Sequence, residues 1–157
     1  MPTADPETSI WISPEQESWF SPFPFPLPLP LPFPAHVTCR IPFAHEKLDV
    51  YNLALDFLAL ADELVEHLPR GRGHLADQLG RASTSIVLNL AEGAGKFSKP
   101  DKRRYYLIAQ GSTTECAAIL DVCLRLKLVL TEPHSVGKAM LERIAAMLVK
   151  LAKAQEV

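Results

Sequence analysis

Residues 78–93 read QLGRASTSIVLNLAEG and decide how the rest of the chain must fold. The segment contains no proline and is rich in leucine and alanine, which is typical of a helix. Five polar side chains recur every three or four residues, so they share one face of this predicted helix. We call them the polar row; its members are Gln78, Arg81, Ser85, Asn89 and Glu92.

A polar row on an otherwise apolar helix lies either in solvent or in a buried hydrogen-bonded network. Buried polar groups need partners, and a satisfied network can fix which helices pack together. Because an amide and a carboxylate lie one turn apart at Asn89 and Glu92, we favour the network. We expect Glu92 to bond Arg81 or Asn89, with Glu115 as a further member, inside a self-associating helical core.

Prolines and apolar spacing predict the remaining helices. Pro69, Pro100 and Pro133 divide residues 45–157 at nearly even intervals. Between them, apolar residues recur with the i, i+3, i+4, i+7 spacing of a helix buried on one side. No sustained period-two alternation indicates a sheet. The expected helices span residues 46–68, 74–94, 99–128 and 133–153. With connections this short they form an all-α, up-and-down antiparallel four-helix bundle.

Two local features of the third predicted helix add detail. Ser98 is suited to cap it, with Pro100 and Asp101 in its first turn. The helix also carries two apolar stripes instead of one, and two stripes imply two sets of neighbours. The second stripe consists of Leu107, Gly111, Ala118 and Val122.

Residues 1–44 form a separate region, which holds all but three of the chain's 14 prolines. Every second residue from Pro22 to Pro34 is proline, which excludes helix and sheet and favours polyproline II or disorder. One interpretation is a docking peptide for a proline-recognition domain, although the run contains no PxxP pair. We prefer a low-complexity extension that the bundle of residues 45–157 does not need.

The charges of the chain are unevenly distributed. Its net charge of −2 gives no overall attraction to nucleic acid or membranes. Residues 70–104, however, carry eight lysines and arginines against three acidic residues. The loop cations of this segment are the candidate nucleic-acid-binding residues, and Tyr105 and Tyr106 are close enough to stack on bases. The alternative is that these cations are ordinary solvated loop charges. The candidates are Arg70, Arg72, Lys96, Lys99, Lys102, Arg103 and Arg104.

Catalytic and cofactor motifs are incomplete. The GAGK at residues 93–96 would need glycine at position 90 and Ser or Thr at 97 to form a phosphate loop, and Leu90 and Phe97 stand there. The hydroxyl side chains of residues 83–85 are potential nucleophiles, but the sequence predicts no oxyanion hole beside them. No Glu-x-x-His, CxxC or HxxxH metal-ligand pairing is present. We therefore expect no enzyme activity, no cofactor and no metal.

Cysteine usage and hydropathy suggest where the protein resides. Cys116 and Cys123 lie two turns apart on one helix, roughly 10 Å, which is too far for a disulfide. Together with Cys39 they are interpreted as reduced thiols of a cytoplasmic protein. The N-terminus lacks the pattern of a secretory signal, and no apolar run approaches the ~20 residues that span a bilayer.

Several segments of the sequence resemble a known family. They are FAHEKLDVY at residues 43–51, QLGRA at 78–82, Ser85-Ile86, NLAEG at 89–93, and IAQGS at 108–112 with Glu115. In this order they are similar to the small four-helix-bundle proteins encoded in intervening sequences of bacterial 23S ribosomal RNA genes. That family is related to the accessory variability proteins of diversity-generating retroelements. The similarity covers roughly residues 43–130.

The resemblance implies a left-handed bundle that assembles into a ring-shaped homopentamer and associates with RNA or DNA. In the retroelement branch it implies a reverse transcriptase as partner, and in neither branch does it imply catalysis. Val87 and Leu88 replace the proline and serine usual in the family, and the proline-rich extension is foreign to it. The expected function is that of a non-enzymatic, oligomeric nucleic-acid-binding or retroelement accessory protein. The alternative is a protein–protein scaffold with no nucleic-acid role.

Overall fold

A computed structural model describes residues 41–156. The first forty residues, and with them most of the predicted proline-rich region, lie outside the described residues. A short 3₁₀ helix, Ala44–Lys47, leads into four α-helices. These are α1 (Asp49–Glu66), α2 (Gly73–Gly95), α3 (Lys99–Arg125) and α4 (Thr131–Lys153).

The four helices form the predicted up-and-down bundle. α2 packs against α1 and α3, and α4 packs against α3 and α1, so each helix contacts its two neighbours around the bundle. Throughout residues 41–156 the regular secondary structure is helical. The core is apolar and continuous through all four helices; side chains excluded from solvent include Phe57, Ile86, Leu90, Leu120, Ile144 and Leu148.

The connection between α2 and α3 has the structure that the sequence predicts. The Ser98 hydroxyl accepts a hydrogen bond from the backbone N–H of Asp101 at 3.3 Å, and proline occupies the first turn of α3. The predicted cap is therefore confirmed. With only residues 96–98 between the two helices, the C-terminus of α2 and the N-terminus of α3 are held side by side.

α3 ends three residues before its predicted limit of residue 128. Lys127 adopts a left-handed conformation with φ of 57°. Its N–H donates to the carbonyl of Leu124, and the N–H of Leu128 donates to the carbonyl of Cys123, both at 2.9 Å. This pair of bonds is the Schellman motif, which usually has glycine at the left-handed position. Because lysine occupies this position, the usual glycine and proline signals of a helix end are absent from the sequence here.

α3 is more apolar than its buried face requires. By length and composition alone it is able to cross a membrane, a test that core helices of soluble proteins also meet. Only 33% of the qualifying window is buried. The predicted second stripe explains the excess, because Leu107 and Val122 remain 40% and 43% exposed.

Gly93 allows α2 to approach α3 closely. A Cβ at this position would lie 2.8 Å from Cε1 of Tyr106 and 3.1 Å from Cβ of Tyr105. Tyr106 is itself buried at 3% exposure, so its ring has little room to move away. Absence of a side chain at residue 93 therefore sets the spacing of the two helices where they meet the connecting loop.

We expect Gly93→Ala to destabilise the bundle by about 1–3 kcal/mol, because it overpacks the α2–α3 contact. Gly80→Ala is the matched control, since Gly80 lies in the same helix and nothing is within 4 Å of its added Cβ. That change should be neutral or stabilising by up to about 1 kcal/mol through helix propensity. Urea denaturation measures both; equal effects would show that the close approach is unimportant.

Candidate nucleic-acid interface

The topology brings four chain segments to one end of the bundle. The starts of α1 and α3 and the ends of α2 and α4 meet there. Nη2 of Arg103 in α3 donates to Oε1 of Glu156 beyond α4 at 3.2 Å. A groove beside α1 is lined by Lys47 and Lys150, which lie about a hundred residues apart in the sequence. We call this the basic end and define it as residues 43–51, 92–104 and 150–156.

The basic end carries eight lysines and arginines against five carboxylates. At the opposite end, residues 62–78 and 121–138 carry five against six. Charge is thus segregated along the bundle, although the chain as a whole has a net charge of −2. A local excess of cations of this kind attracts polyanions independently of net charge.

The structure places the seven predicted basic residues in two groups, at opposite ends of the bundle. Lys96, Lys99, Lys102, Arg103 and Arg104 all lie at the basic end. Arg70 and Arg72 lie at the other end of α2, which at 23 residues is about 35 Å long. The seven candidate residues therefore form two separate groups, as an up-and-down bundle requires. The joint of α1 and α2 and the joint of α2 and α3 necessarily lie at opposite ends.

Lys150 and Lys153 join the basic end and were missed from the sequence. They lie in the last turn of α4, where cations also interact favourably with the helix dipole. In the sequence they are about fifty residues from the Lys96–Arg104 set. Only the antiparallel topology indicates that the two groups converge.

Two cations of the basic end are already paired. Nζ of Lys96 lies 2.5 Å from Oε1 of Glu92 one turn earlier. The hydrogen bond lowers the pKa of the Glu92 carboxyl and raises the pKa of Lys96. Lys96 also lies 5.0 Å above the ring of Tyr105. Arg103 is engaged by Glu156 as described above.

The three cations at the start of α3 have no such partner. Within residues 41–156, the side chains of Lys99, Lys102 and Arg104 make no hydrogen bond or ion pair. All three lie in the first two turns of α3 and are at least partly exposed. Their charges are thus available to a ligand without breaking a contact inside the protein.

The aromatic residues at the basic end differ from those expected. Tyr106 is buried in the core, and burial raises its pKa, so the expectation that it stacks on bases was wrong. Tyr105 already lies beneath Lys96. Two phenylalanines are exposed instead: Phe97 completely and Phe43 by 68%. Phe97 stands directly after Lys96, so a search for aromatics between cations would have found it.

The polar row is only partly a network. Ser85 Oγ lies 2.9 Å from Ser112 Oγ of α3, and Asn89 Nδ2 donates to the Ser85 carbonyl at 2.7 Å and to its hydroxyl at 3.0 Å. These three side chains are half-buried. Only Ser85 bonds a side chain of α3, and the bonds of Asn89 stay within α2.

The remaining members of the predicted network are not buried within one chain, which corrects the hypothesis of a buried network. Gln78, Arg81, Glu92 and Glu115 are exposed in the single chain. Glu92 pairs with Lys96, and the predicted bond to Arg81 or Asn89 is not formed. Helical spacing showed that the row shares a face; it did not show which part of that face another helix would cover.

Two buried hydroxyls and a buried thiol lie elsewhere in the described chain. The hydroxyls of Ser83 and Thr113 donate to backbone carbonyls of their own helices at 3.1 and 2.8 Å. Burial raises the pKa of the Cys116 thiol to about 12, which makes it a poor nucleophile. Residues 41–156 contain no group of three or more His, Cys, Asp or Glu side chains able to hold a metal ion.

Because Glu92 is exposed and paired only across one helical turn, we expect Glu92→Ala to change stability little. Its melting temperature should match that of Glu66→Ala, a change at an exposed carboxylate in α1. Scanning calorimetry of both variants gives the comparison. A large loss for Glu92→Ala alone would place this carboxylate in a buried network, formed between copies of the chain.

Comparisons with known proteins agree with this fold. A structure from Bacteroides thetaiotaomicron, described as a protein with unknown function from the S23 ribosomal protein family, superposes with a TM-score of 0.62. It is 22% identical and covers 66% of this chain and 98% of its own, a similarity that establishes fold alone. No curated protein matches the sequence. The family model for the 23S rRNA-intervening sequence protein matches residues 46–150, and the chain therefore belongs to that family.

Proposed function

We propose that the protein is a non-enzymatic, self-assembling nucleic-acid-binding protein whose ligand contacts are made by the basic end. The observation that carries the proposal is the set of three free cations, Lys99, Lys102 and Arg104. The last turn of α4 adds further lysines at the same end of the bundle. Such contacts are made to phosphates, so binding is independent of sequence and strongly dependent on salt.

Self-assembly is the second part of the proposal. The outer stripe of α3 leaves Leu107 and Val122 exposed beside small residues at positions 111 and 118. Small residues permit close approach, and an apolar stripe without a neighbour in the described chain is suited to a second copy. A ring repeats the basic end in every subunit, so weak contacts to one polyanion add up. The family resemblance supports five copies.

The partner protein is inferred from the same resemblance. In the retroelement branch a reverse transcriptase would be recruited, and the ring would bring nucleic acid and enzyme together. The competing function is a protein–protein scaffold. It is favoured by the exposed stripe of α3, which a different protein is equally able to cover, and it assigns no role to the basic end.

Charge reversal separates these two functions. We expect the triple variant Lys99→Glu, Lys102→Glu and Arg104→Glu to bind labelled RNA or DNA oligonucleotides much more weakly, measured by fluorescence anisotropy. Removing three phosphate contacts should also reduce the slope of log K against log salt by about 2, at roughly 0.7 per contact for single strands.

The control reverses three cations at the opposite end that are at least partly exposed, with Arg70→Glu, Arg72→Glu and Arg125→Glu. It makes the same change in net charge and should leave most of the binding intact. Equal losses in the two triple variants would show that net charge matters and the basic end does not. Absence of oligonucleotide binding by the unaltered protein at low salt would favour the scaffold.

Assembly is tested through the stripe of α3. Light scattering of the full chain is expected to give about five times its 17.4 kDa mass. The variant Leu107→Glu, Val122→Glu should give the mass of one chain, because charges replace the proposed contact. Leu55→Glu is the control, since Leu55 of α1 is exposed to a similar degree, 39%, and lies outside the stripe. A monomeric unaltered protein would refute the assembly.

A further inference from the structure

A stack of aromatic rings at the edge of the basic end begins at Tyr51, which packs against the core, and leads outward to solvent. The rings of Phe43 and His45 are nearly parallel, with an angle of 10° and centroids 5.7 Å apart. His45 in turn meets Tyr51 of α1 edge-on at 4.7 Å. The stack thus begins at a helix of the bundle and ends at Phe43.

Phe43 is held in position, although its ring is open to solvent. Its backbone N–H donates to Oε2 of Glu46 at 2.8 Å, and its carbonyl accepts from the N–H of Glu46 at 3.1 Å. This reciprocal capping fixes the start of the 3₁₀ helix. With 68% of the residue exposed, an apolar ring is kept in water by a defined local structure.

Beside this ring lies an open recess of about 570 Å³. Its walls include Leu88 and Ala91 of α2, and Lys96 stands at its edge. Glu92 also faces the recess, and its charge is compensated by Lys96. The volume falls within the roughly 300–1,000 Å³ of small-molecule pockets, and its combination of apolar wall and cation suits a base attached to a phosphate.

We propose that the basic end binds single-stranded nucleic acid by stacking one base on the outer face of Phe43. The base continues the row of rings that His45 begins, and the adjoining backbone passes Lys96 toward Lys99. Bases of a duplex are stacked and paired with one another, so only an unpaired base reaches this platform. The inference rests on the proposed function and adds to it the preferred form of nucleic acid.

The experiment compares the full chain on three labelled probes of equal length: single-stranded oligoadenylate, its abasic counterpart, and a duplex. RNA and DNA forms are measured in parallel at one salt concentration. We expect the base-containing strand to bind about tenfold more tightly than the abasic strand, as one stacked base would contribute. Phe43→Leu should abolish that ratio and Phe43→Trp should keep it, because leucine lacks a flat π face.

Two controls locate the effect. Phe97→Leu removes the other exposed phenylalanine of the basic end, which does not line the recess, and should preserve the ratio. Leu130→Ala removes an exposed apolar residue from the opposite end and should do the same. Equal binding of base-containing and abasic strands, or a ratio that survives Phe43→Leu, overturns the inference while backbone binding stands. Failure of every probe to bind at low salt refutes the proposed function itself.

Discussion

The close contact between α2 and α3 determines where the charges of this protein lie. Gly93 lets the backbone of α2 rest against Tyr106, and the bond between Ser85 and Ser112 joins the same helices two turns away. A three-residue connection then leaves the end of α2 and the start of α3 little freedom. The connection and the start of α3 contain Lys96, Lys99 and Lys102. The packing of the core therefore fixes the positions of charges that the core itself does not need.

Much of this arrangement was predictable from local sequence. Prolines at 69, 100 and 133 and the spacing of apolar residues give four helices and their order, since periodicity and helix breakers act over a few residues. The cap at Ser98 has the same local origin. The end of α3 escaped prediction because Lys127 adopts a conformation for which glycine is the usual signal.

The site was less predictable because its members converge through topology. Lys150 lies about a hundred residues from Phe43 and His45 in the sequence, and no pattern within a helix relates them. The polar row shows a similar limit: periodicity placed Glu92 and Asn89 on one face, but it did not identify their partners. Asn89 is bonded within α2 and Glu92 pairs on the surface.

Segregation of charge allows a slightly acidic protein to have a cationic end. Because screening limits electrostatic attraction to about 10 Å at moderate ionic strength, a phosphate backbone responds to the nearest cations and hardly to carboxylates a helix length away. Backbone attraction alone provides no distinction in favour of single strands, because the phosphate charge of a duplex is denser. An exposed ring beside the cations supplies that distinction, since stacking requires an unpaired base and is much less sensitive to salt than phosphate contacts are. The two contributions act on different parts of one nucleotide, so each is measurable in the absence of the other.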